Sequence, residues 1–510
     1  MRVLFLNEIN KYDSIGIELL SALLKEKGHW TRVCLIPDLI ENTTITLKFL
    51  KLFFGLFSLD DDKYIEYLLS FNPDVICFSA VTSYMPRAKK LAAVLRKKDP
   101  SVTLVCGGPH PTISTEETVI SGYFDYVCKG EGEILLPKLI GALEEDDKSP
   151  RINGVYYSRN GEVVGEGIGD IVEDLDVLPF PDKVDVIKDY PFFERVYMVN
   201  SMRSCAYSCT YCGSPHFRKE YSKFGKKVYR RKSPLALINE LKYAKKRYPK
   251  IKTVGFVDDT LTMGKEWINE FAELYEKHIK IPFFGCTNPI LLKDEDLIIK
   301  LKKAGLIYIE IGIQALDEKF RMETVKRPDS DKDIFECAQL LQKHNIYIQA
   351  NHIFGLDKRD YSDHDFLKRT VDYYLKLRPN RTHCFELEYL PGAEIVQNDI
   401  NNGYFSNSEY KKILNGEKSV AYNFGGSIED VKIFIPYITL LEMRPFLPEI
   451  IIRFLMNNKL CFWFVKKIPI SYLVLARMLN TIIHPRDVEG KPHYRKYIDG
   501  MFHIRKIKKT

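Results

Sequence analysis

The sequence predicts an α/β protein that begins with a doubly wound parallel sheet, continues with a partial (β/α)6 barrel and ends in a mainly helical region. Two runs of the 510-residue chain, residues 1–145 and 191–395, alternate short β-rich apolar segments with amphipathic helical segments. Such alternation is typical of parallel sheets covered by helices. Residues 146–190 have the character of a hairpin and linker, and residues 396–510 combine helical spacing with many aromatic side chains. We therefore predict four regions with these boundaries.

The first alternation contains five segments rich in β-branched and aromatic residues. These predicted strands are Val3–Leu6, Arg32–Ile36, Val75–Ser79, Thr103–Cys106 and Tyr126–Cys128. The predicted helices between them are Ile15–Lys27, Tyr64–Leu69, Arg87–Lys98 and Leu135–Leu143. This order predicts a flavodoxin-like sheet, which binds ligands beyond the carboxyl ends of its strands. Tight turns alone select glycine, but three glycine- or hydroxyl-rich loops at that one edge, residues 79–82, 107–110 and 130–133, favour a ligand site.

A hairpin and a linker separate the two alternations. Asn153-Gly154 and Asn160-Gly161 flank a strand-like segment at residues 155–157, as in a β-hairpin, and the proline-containing segment 178–182 predicts a linker. The predicted strands of the second alternation are Tyr197–Val199, Thr253–Val257, Phe283–Thr287, Ile307–Ile313, Tyr347–Ile353 and Cys384–Tyr389. Six parallel strands with intervening helices predict a partial barrel whose chemistry lies at the carboxyl ends of its strands.

The C-terminal region contains an apolar stretch, residues 433–483, that charged residues interrupt too often for a membrane-spanning helix. Helical packing against the barrel is the first interpretation. A lid over an apolar substrate and a peripheral membrane contact are the alternatives, because residues 462–464 read Phe-Trp-Phe beside Lys466 and Lys467. The last twenty residues carry seven basic side chains and one acidic side chain, which we interpret as a solubilising terminus, and we expect no nucleic-acid partner.

Composition indicates a folded protein, and the N-terminal pattern leads us to expect it in the cytoplasm. The hydrophobic fraction of 45% and the charged fraction of 28% are close to globular averages, and the net charge is +7. Residues 1–8 have the pattern of a buried strand and not of a secretory signal. The chain has eleven cysteines, and without an export signal they favour metal or redox chemistry over a disulfide framework.

Three of the cysteines, Cys205, Cys209 and Cys212, lie within eight residues directly after a predicted strand. Thiolates are the usual ligands of iron–sulfur clusters, and three of them leave one iron open to bind a substrate or cofactor. A structural zinc site normally has four protein ligands, and His216 is the nearest further candidate. Zinc therefore stays a minor alternative to an iron–sulfur cluster.

The spacing Cys-x3-Cys-x2-Cys after the first strand of a predicted barrel resembles the radical S-adenosylmethionine (SAM) superfamily, in which SAM binds the open iron of a 4Fe-4S cluster. The resemblance places Tyr211 near the adenine of SAM, Asp258 and Asp259 near its amino group, and Gln314 in a strand that also contacts it. Residues 352–356 resemble a later segment of the same family. Ser204 and Ala206 depart from its common Arg-Gly-Cys-Pro pattern without removing a ligand.

The preceding doubly wound region makes the whole similar to cobalamin-binding radical SAM enzymes, over residues 1–394. The cofactor-binding residues that this resemblance implies are Ser79, Thr82, Gly107, Gly108, His110, Gly130 and Glu131. The Asp-x-His-x-x-Gly motif, which supplies a cobalt-ligating histidine in many corrinoid proteins, is absent from residues 7–16. The resemblance therefore implies cobalamin bound without a histidine ligand, and we interpret His110 as a wall of the pocket.

The resemblance implies a methyltransferase that uses a 5′-deoxyadenosyl radical and methylcobalamin to methylate an unactivated carbon. A radical SAM oxidative cyclase of the anaerobic magnesium-protoporphyrin ester type is the alternative among enzymes, and a corrinoid or iron–sulfur sensor is the alternative outside them. The expected partners are a small apolar substrate, lipid-like or tetrapyrrole, and an electron donor such as ferredoxin or flavodoxin.

Overall fold

A computed structural model describes residues 1–8, 14–36, 60–417, 433–467, 499 and 502–508. Its first sheet has the strand order β2-β1-β3-β4-β5-β6-β7. The strands are Arg2–Glu8 (β1), Trp30–Ile36 (β2), Val75–Ser79 (β3), Thr103–Gly107 (β4), Tyr126–Cys128 (β5), Val155–Arg159 (β6) and Glu162–Val164 (β7). Strands β1 to β5 pair in parallel, which confirms the predicted doubly wound sheet.

Helices cover both faces of this sheet. They are Ile15–Glu26 (α1), Asp61–Leu69 (α2), Met85–Lys98 (α3), Pro109–Ile113 (α4), Thr115–Ile120 (α5) and Gly132–Glu144 (α6). Alternate residues of β1 enter separate apolar clusters, because Leu4 and Leu6 face one layer of helices whereas Val3 and Phe5 face the other. The segment after β4, which we expected to be a loop, begins the short helix α4.

The predicted hairpin forms but does not stand in a separate linker region. Strand β6 pairs antiparallel with β5 and β7 pairs with β6, so the hairpin extends the first sheet. Asn160 and Gly161 both have positive φ, 54° and 84°, as a two-residue hairpin turn requires. The pairing covers the backbone groups that β5 would otherwise expose at the edge of the sheet.

The segment after the hairpin is also anchored to the first sheet. It contains the helix Val184–Asp189 (α7). Lys183 donates to Glu18 of α1 over 2.5 Å, and both side chains are buried. Arg32 of β2 forms ion pairs with Asp185 and Asp189, at 3.2 and 2.9 Å. These contacts fix the entry to the second sheet against the edge of the first.

The second sheet is a parallel partial barrel with the order β15-β14-β13-β12-β11-β8. Its strands are Val196–Val199 (β8), Thr253–Phe256 (β11), Phe283–Thr287 (β12), Leu306–Gln314 (β13), Tyr347–Phe354 (β14) and Arg381–Glu386 (β15). The short strands Met202–Arg203 (β9) and Arg230–Arg231 (β10) pair with each other beyond β8. All six predicted barrel strands are confirmed.

Helices follow the strands of the barrel, and most of them pack on its outside. They are Ser214–Ser222 (α8), Pro234–Arg247 (α9), Lys265–His278 (α10), Glu295–Ala304 (α11), Glu318–Glu323 (α12), Asp331–Lys343 (α13) and His364–Leu377 (α14). Ile309, Ile311 and Ile313 of β13 join the apolar core under these helices, whereas Tyr308 points into the barrel. The alternation along each strand therefore separates a helix-covered face from an inner face.

The C-terminal region is helical where the structure describes it. Its helices are Glu394–Asn401 (α15), Asn407–Leu414 (α16), Ile435–Met443 (α17), Glu449–Asn457 (α18) and Lys459–Lys467 (α19). Residues 468–498, most of the basic tail, and the loop 9–13 that lacks the histidine motif lie outside the described residues. No helix within the described ranges is long and apolar enough to cross a bilayer.

Candidate functional site

The three cysteines lie in a loop between β9 and α8. Ser204, which opens this loop, has a φ of +66°, a left-handed conformation that glycine adopts with less strain. Cys205 N–H donates to Ser214 Oγ over 3.1 Å, and Ser214 N–H donates to Cys212 Sγ over 3.4 Å. The first residue of α8 thus closes the loop from Cys205 to Cys212.

Arg218 of α8 holds the same loop from its outer side. Its guanidinium donates to the carbonyl oxygens of Cys205 and Tyr207, the latter over 2.8 Å, and to Ser208 Oγ over 3.0 Å. Backbone carbonyls that turn outward need such donors, because a loop has no ladder to pair them. No pattern in the sequence marked Arg218 as part of the site.

The thiols of the triad are shielded from solvent. Cys205 and Cys209 are buried and Cys212 is half-buried. Burial raises the pKa of Cys212 to about 12, and burial also raises the pKa of Cys209, which the positive charge of Arg327 lowers in part. Metal binding deprotonates such thiols, so loading a cluster would release protons.

The donors of the loop bear on the choice between a cluster and a zinc ion. Within the described ranges, no three His, Cys, Asp or Glu side chains converge closely enough to enclose one metal. Ligands of a 4Fe-4S cluster each bind a different iron and stand farther apart than the ligands of one ion. His216, the further zinc candidate, lies against Gly392 and 3.8 Å from Glu220. Three cysteines in a tied loop fit a cluster by the chemistry of their donors.

The two carboxylates after β11 take different positions. Asp258 is buried and accepts hydrogen bonds from the backbone N–H groups of Ser201 and Met202, at 2.7 and 3.1 Å. Asp259 instead lines a cavity beside Cys212. Burial raises the pKa of both carboxyl groups. Asp258 thus anchors the strand that leads into the cysteine loop, while Asp259 faces the space where SAM is expected.

Gln314 ends β13 in a left-handed conformation with φ of +68°, next to a register shift against β14. Its Oε1 atom is buried without a hydrogen-bond partner in the part of the chain that the structure describes. A Cβ atom on Gly312 would come within 2.6 Å of Gln314 Nε2, so a larger residue there would displace the Gln314 side chain. An orphaned buried acceptor at the carboxyl end of a barrel strand fits a residue that meets a bound cofactor.

Arg327 connects Gln314's strand to the cysteine loop. It is buried, donates to Gly312 O over 2.8 Å and lies 3.4 Å from the Tyr211 hydroxyl. It also pairs with Asp329 at 3.2 Å. Tyr211 packs among apolar residues beside this cation. Nothing in the sequence indicated Arg327, because its partners come from segments far away along the chain.

The carboxyl edge of the first sheet faces the cysteine loop across one cavity of about 490 Å³. The predicted residues that line it are Ser79, Gly107, Gly108, Gly130, Glu131, Cys212 and Asp259. Gly108 has a φ of +104°, and a Cβ atom there would lie 2.8 Å from Ala80 N. Its glycine therefore serves close backbone packing, whereas a Cβ on Gly107 would find ordinary room at 3.5 Å from Cys128.

Thr82 and His110 are buried against each other, with His110 Nδ1 3.2 Å from Thr82 Oγ1. Neither residue is among those that line the cavity. Burial lowers the pKa of His110 to about 4, so its imidazole is neutral at physiological pH. The pair stabilises the turn after β3 from behind, and the cavity wall expected at His110 comes from its neighbours Gly108 and Pro109.

Ion pairs join the two sides of the cavity. Glu133 of α6 pairs with Arg203 of β9 at 2.5 Å, and Glu131 pairs with Arg230 of β10. Tyr221 Oη accepts a hydrogen bond of 2.7 Å from Glu131 N. Arg203 precedes the cysteine loop directly, so the glycine-rich edge and the loop are held in a fixed relation. Sequence reasoning named Glu131 but not this role, since ion pairs of distant residues leave no local pattern.

Profiles of two known families match the regions on the two sides of this cavity. The B12 binding domain matches residues 1–140, and the Radical SAM superfamily matches residues 199–369. The chain is a homologue of cobalamin-dependent radical SAM enzymes. These domains imply a 4Fe-4S cluster, SAM and cobalamin, which confirms the predicted set of cofactors. The individual binding residues stay predictions.

Curated relatives of this radical SAM homologue include cyclases and methylases. The anaerobic magnesium-protoporphyrin IX monomethyl ester cyclase of Rubrivivax gelatinosus is 25% identical over 59% of this chain and 54% of its own length. The hopanoid C-3 methylase of Methylococcus capsulatus is 23% identical over 68% of this chain and 62% of its own length. The chain thus spans about half to three fifths of these relatives.

Solved structures of cobalamin-dependent radical SAM enzymes share the fold. The structure of OxsB with aqua-cobalamin and SAM bound superposes with a TM-score of 0.63 at 16% identity, over 100% of this chain and 79% of that one. The methyltransferase TsrM from Kitasatospora setae, with cobalamin and a 4Fe-4S cluster bound, gives a TM-score of 0.61 at 14% identity over 79% and 78%. Identities this low establish that this chain shares its architecture with both structures and nothing further.

Proposed function

We propose that the protein is a cobalamin-dependent radical SAM methyltransferase that acts on an unactivated carbon of a largely apolar substrate. The observation that carries this proposal is the shared cavity, because Cys212 and Asp259 line one side while Gly107 and Gly130 line the other. Methyl transfer of this kind needs a radical generator and a methyl donor to reach one substrate. A cavity open to both carboxyl edges supplies that meeting place.

In this proposal the side chains of each edge have separate tasks. Cys205, Cys209 and Cys212 hold the cluster, and Asp259 receives the SAM ammonium in a charge-assisted hydrogen bond. Gln314 presents its free amide oxygen to the same ligand, and Tyr211 supplies an apolar ring near the adenine. When bound, the cluster, SAM and cobalamin supply radical generation and a transferable methyl group. The chain's own contribution is to position them and to exclude water.

The corrin side of the proposal relies on backbone approach. Ser79, Gly107 and Gly130 present little side-chain bulk at the strand ends, so a wide flat ligand can lie against the backbone. Glu131 and Glu133 neutralise Arg230 and Arg203 where the two edges meet. Neutral His110 lies behind this surface, which supports cobalamin bound without a histidine ligand.

The cavity wall supports the proposal of a largely apolar substrate. Ile17, Leu20, Leu136 and Phe217 contribute to it, and the charged residues Glu131, Glu133, Arg203 and Asp259 also line the cavity. Pockets lined in this way favour ligands with large apolar surfaces. A methylase relative is named for hopanoids, which supports a lipid-like substrate, and the cyclase relatives are named for a tetrapyrrole ester.

A cyclase is the second candidate, because cyclases from Rubrivivax gelatinosus and Synechocystis match at 25% and 24% identity. The two reactions differ in the fate of the methyl group of SAM. A methyltransferase moves that group to the substrate, whereas a cyclase forms a ring and transfers none. The cofactor-binding half is common to both, so only product analysis separates them.

The test supplies reconstituted protein with methyl-labelled SAM, reduced ferredoxin or flavodoxin, and an extract from a strain that lacks this gene. We expect label in a lipid or pigment fraction together with 5′-deoxyadenosine. Deoxyadenosine without transferred label would replace the methyltransferase with the cyclase. If neither labelled product nor 5′-deoxyadenosine forms, the enzymatic proposal is overturned and a sensor is favoured.

A matched pair of variants controls this assay. The triple variant Cys205→Ala/Cys209→Ala/Cys212→Ala should form no 5′-deoxyadenosine, because the open iron is lost. Cys461→Ala removes a cysteine of α19, outside the cavity, and should retain activity within about twofold. Equal loss in both variants would point to general damage and would remove the link between the triad and the reaction.

A further inference from the structure

The helical hairpin formed by α18 and α19 has two apolar faces. Ile452, Met456 and Val465 point inward and belong to the core that covers the barrel. Six large apolar side chains point outward and are between 41% and 77% exposed: Ile450, Ile451, Phe454, Leu460, Trp463 and Phe464. We call this set the outer face. Its residues repeat three and four positions apart, so they form one strip along each helix.

Such a surface is costly in water. Single exposed apolar residues are common, but six large ones on two adjoining helices form a patch of the kind that marks interaction sites. The residues that line the cavity include none from α18 or α19. The alternative of a lid over the substrate cavity therefore has no supporting contact, and the outer face needs a different partner.

The charges around the outer face identify the chemistry of that partner. Residues 449–467 contain four basic side chains and one acidic side chain. Arg453 is engaged with Asp372 and Glu449. Lys466 Nζ lies 5.2 Å from the centre of the Phe462 ring, and Lys467 Nζ lies 5.4 Å from that of Trp463. Lysines beside aromatic rings suit the boundary between lipid headgroups and acyl chains.

The length of the helices decides between lying on a membrane and spanning it. Helices α18 and α19 have nine residues each, far too few to cross a hydrocarbon core. Amphipathic helices with an aromatic apolar face and a basic flank lie in the plane of the interface. The inner face of the hairpin stays fixed to the barrel, so the outer face is presented as a rigid surface.

We propose that the outer face of the α18–α19 hairpin binds the surface of a lipid bilayer that contains anionic headgroups. The aromatic and aliphatic side chains enter the headgroup boundary, and Lys459, Lys466 and Lys467 attract the negative surface. The proposal rests on the exposed residues and their charges alone. It stands or falls independently of the reaction that the enzyme catalyses.

The first test is co-sedimentation of the full-length protein with vesicles of phosphatidylcholine that contain about a quarter phosphatidylglycerol. We expect the wild type to bind these vesicles. The variant Trp463→Ser/Phe464→Ser should partition onto them about tenfold more weakly than the wild type. The matched control, Ile120→Ser/Val177→Ser, removes apolar side chains of similar exposure, 70% and 71%, away from the hairpin. It should bind like the wild type.

The second test measures the charge contribution. Lys466→Glu/Lys467→Glu should weaken binding to the anionic vesicles, and the loss should shrink as salt screens the surface potential. Lys148→Glu/Lys332→Glu changes two lysines that are 80% and 82% exposed elsewhere and serves as the control. Pure phosphatidylcholine vesicles should bind the wild type and both lysine variants weakly and alike.

Three results would overturn the proposal. The first is no binding of the wild type to anionic vesicles, and the second is equal binding by the Trp463/Phe464 variant. The third is a protein that self-associates without lipid and becomes monomeric in that variant, which would assign the outer face to a second copy of the chain. Retained secondary structure in circular dichroism confirms that the variants are folded.

Discussion

The two edges that face the cavity are built by different means. On the barrel side, side chains hold the backbone: Arg218 and Ser214 tie the cysteine loop, and Asp258 ties the strand before it. On the first sheet, backbone packs against backbone, as where Gly108 meets Ala80. From this difference we expect that removing side chains weakens cluster binding on the barrel side, whereas adding side chains weakens corrin binding on the first sheet.

The largest effect is expected for Arg218→Met, which removes the donor to the carbonyls of Cys205 and Tyr207. Hydrogen bonds from a charged donor contribute about 1.5–3 kcal/mol each, so the loop should loosen. We expect an iron chelator to remove the cluster at least about tenfold faster, as followed by absorbance. Arg151→Met changes an exposed arginine and should not alter the rate. Equal rates in both variants would contradict the role of Arg218.

The corresponding change on the other edge is Gly107→Leu, which adds bulk at a cavity-lining residue whose Cβ has ordinary room. The side chain would occupy space that the corrin needs, and overpacking costs about 1–3 kcal/mol. Hydroxocobalamin should bind about tenfold more weakly by titration, with the iron content unchanged. Gly141→Leu on helix α6, where a Cβ meets nothing within 4 Å, is the control. Undiminished cobalamin binding by Gly107→Leu would remove Gly107 from the corrin site.

An edge that is held by polar side chains should also change in stability with pH. Asp360, which follows barrel strand β14, tests this expectation. It is buried, accepts a hydrogen bond of 2.9 Å from Gly355 N, and burial raises its pKa to about 8. A carboxyl whose pKa is higher in the folded state binds more protons there, so folding stability falls as pH rises between the unfolded pKa and about 8. The maximum slope is about 1.4 kcal/mol per pH unit.

Asp360→Asn removes this titration and keeps an acceptor for Gly355 N. Thermal unfolding measured from pH 5 to pH 9 should therefore vary less in the variant than in the wild type, and the variant should be relatively more stable at the alkaline end. Asp365→Asn, an exposed position of helix α14, should leave the profile of the wild type unchanged. Parallel profiles for Asp360→Asn and the wild type would show that the buried carboxyl does not govern the pH response.

The smallest effect is expected for Ser204→Gly. Ser204 has a left-handed backbone, which costs about 1 kcal/mol in a residue other than glycine. Glycine should thus raise the free energy of unfolding by up to about 1 kcal/mol with full cluster content. Ala206→Gly in the same loop, where φ is not positive, should lower it instead. Ser204 Oγ lies 3.2 Å from Ser214 Oγ. Denaturant unfolding distinguishes the two variants, and a loss of stability in Ser204→Gly would show that this contact outweighs the strain.

Both sheets could be predicted from local sequence patterns. Strand-like runs alternating with helical runs specify parallel pairing, and the spacing of Cys205, Cys209 and Cys212 specifies a three-ligand loop without any long-range information. The hairpin at Asn160-Gly161 could be predicted from an equally local signal. Its attachment to the edge of β5 could not, because edge pairing depends on which backbone groups remain open after the sheet has formed.

Several contacts that organise the site are long-range, and they escaped prediction for that reason. Arg327 and the pairing of Glu133 with Arg203 join segments that only the fold brings together. Arg218 is nearer, eleven residues from Tyr207, but no motif marks it as a donor to the cysteine loop. The two adjacent carboxylates show a second limit. Asp258 and Asp259 match the same motif, yet the backbone at the strand end turns one inward and the other to the cavity.

The account rests on two cofactors held by separate edges that face one cavity, and a single preparation tests it. Iron, sulfide and cobalt are measured in the triple variant Cys205→Ala/Cys209→Ala/Cys212→Ala after anaerobic reconstitution, hydroxocobalamin loading and gel filtration. We predict loss of all iron and sulfide, with cobalt retained within about twofold of the wild type. Retained iron and sulfide, or a protein that carries no cobalt whether or not the cysteines are present, would contradict the account.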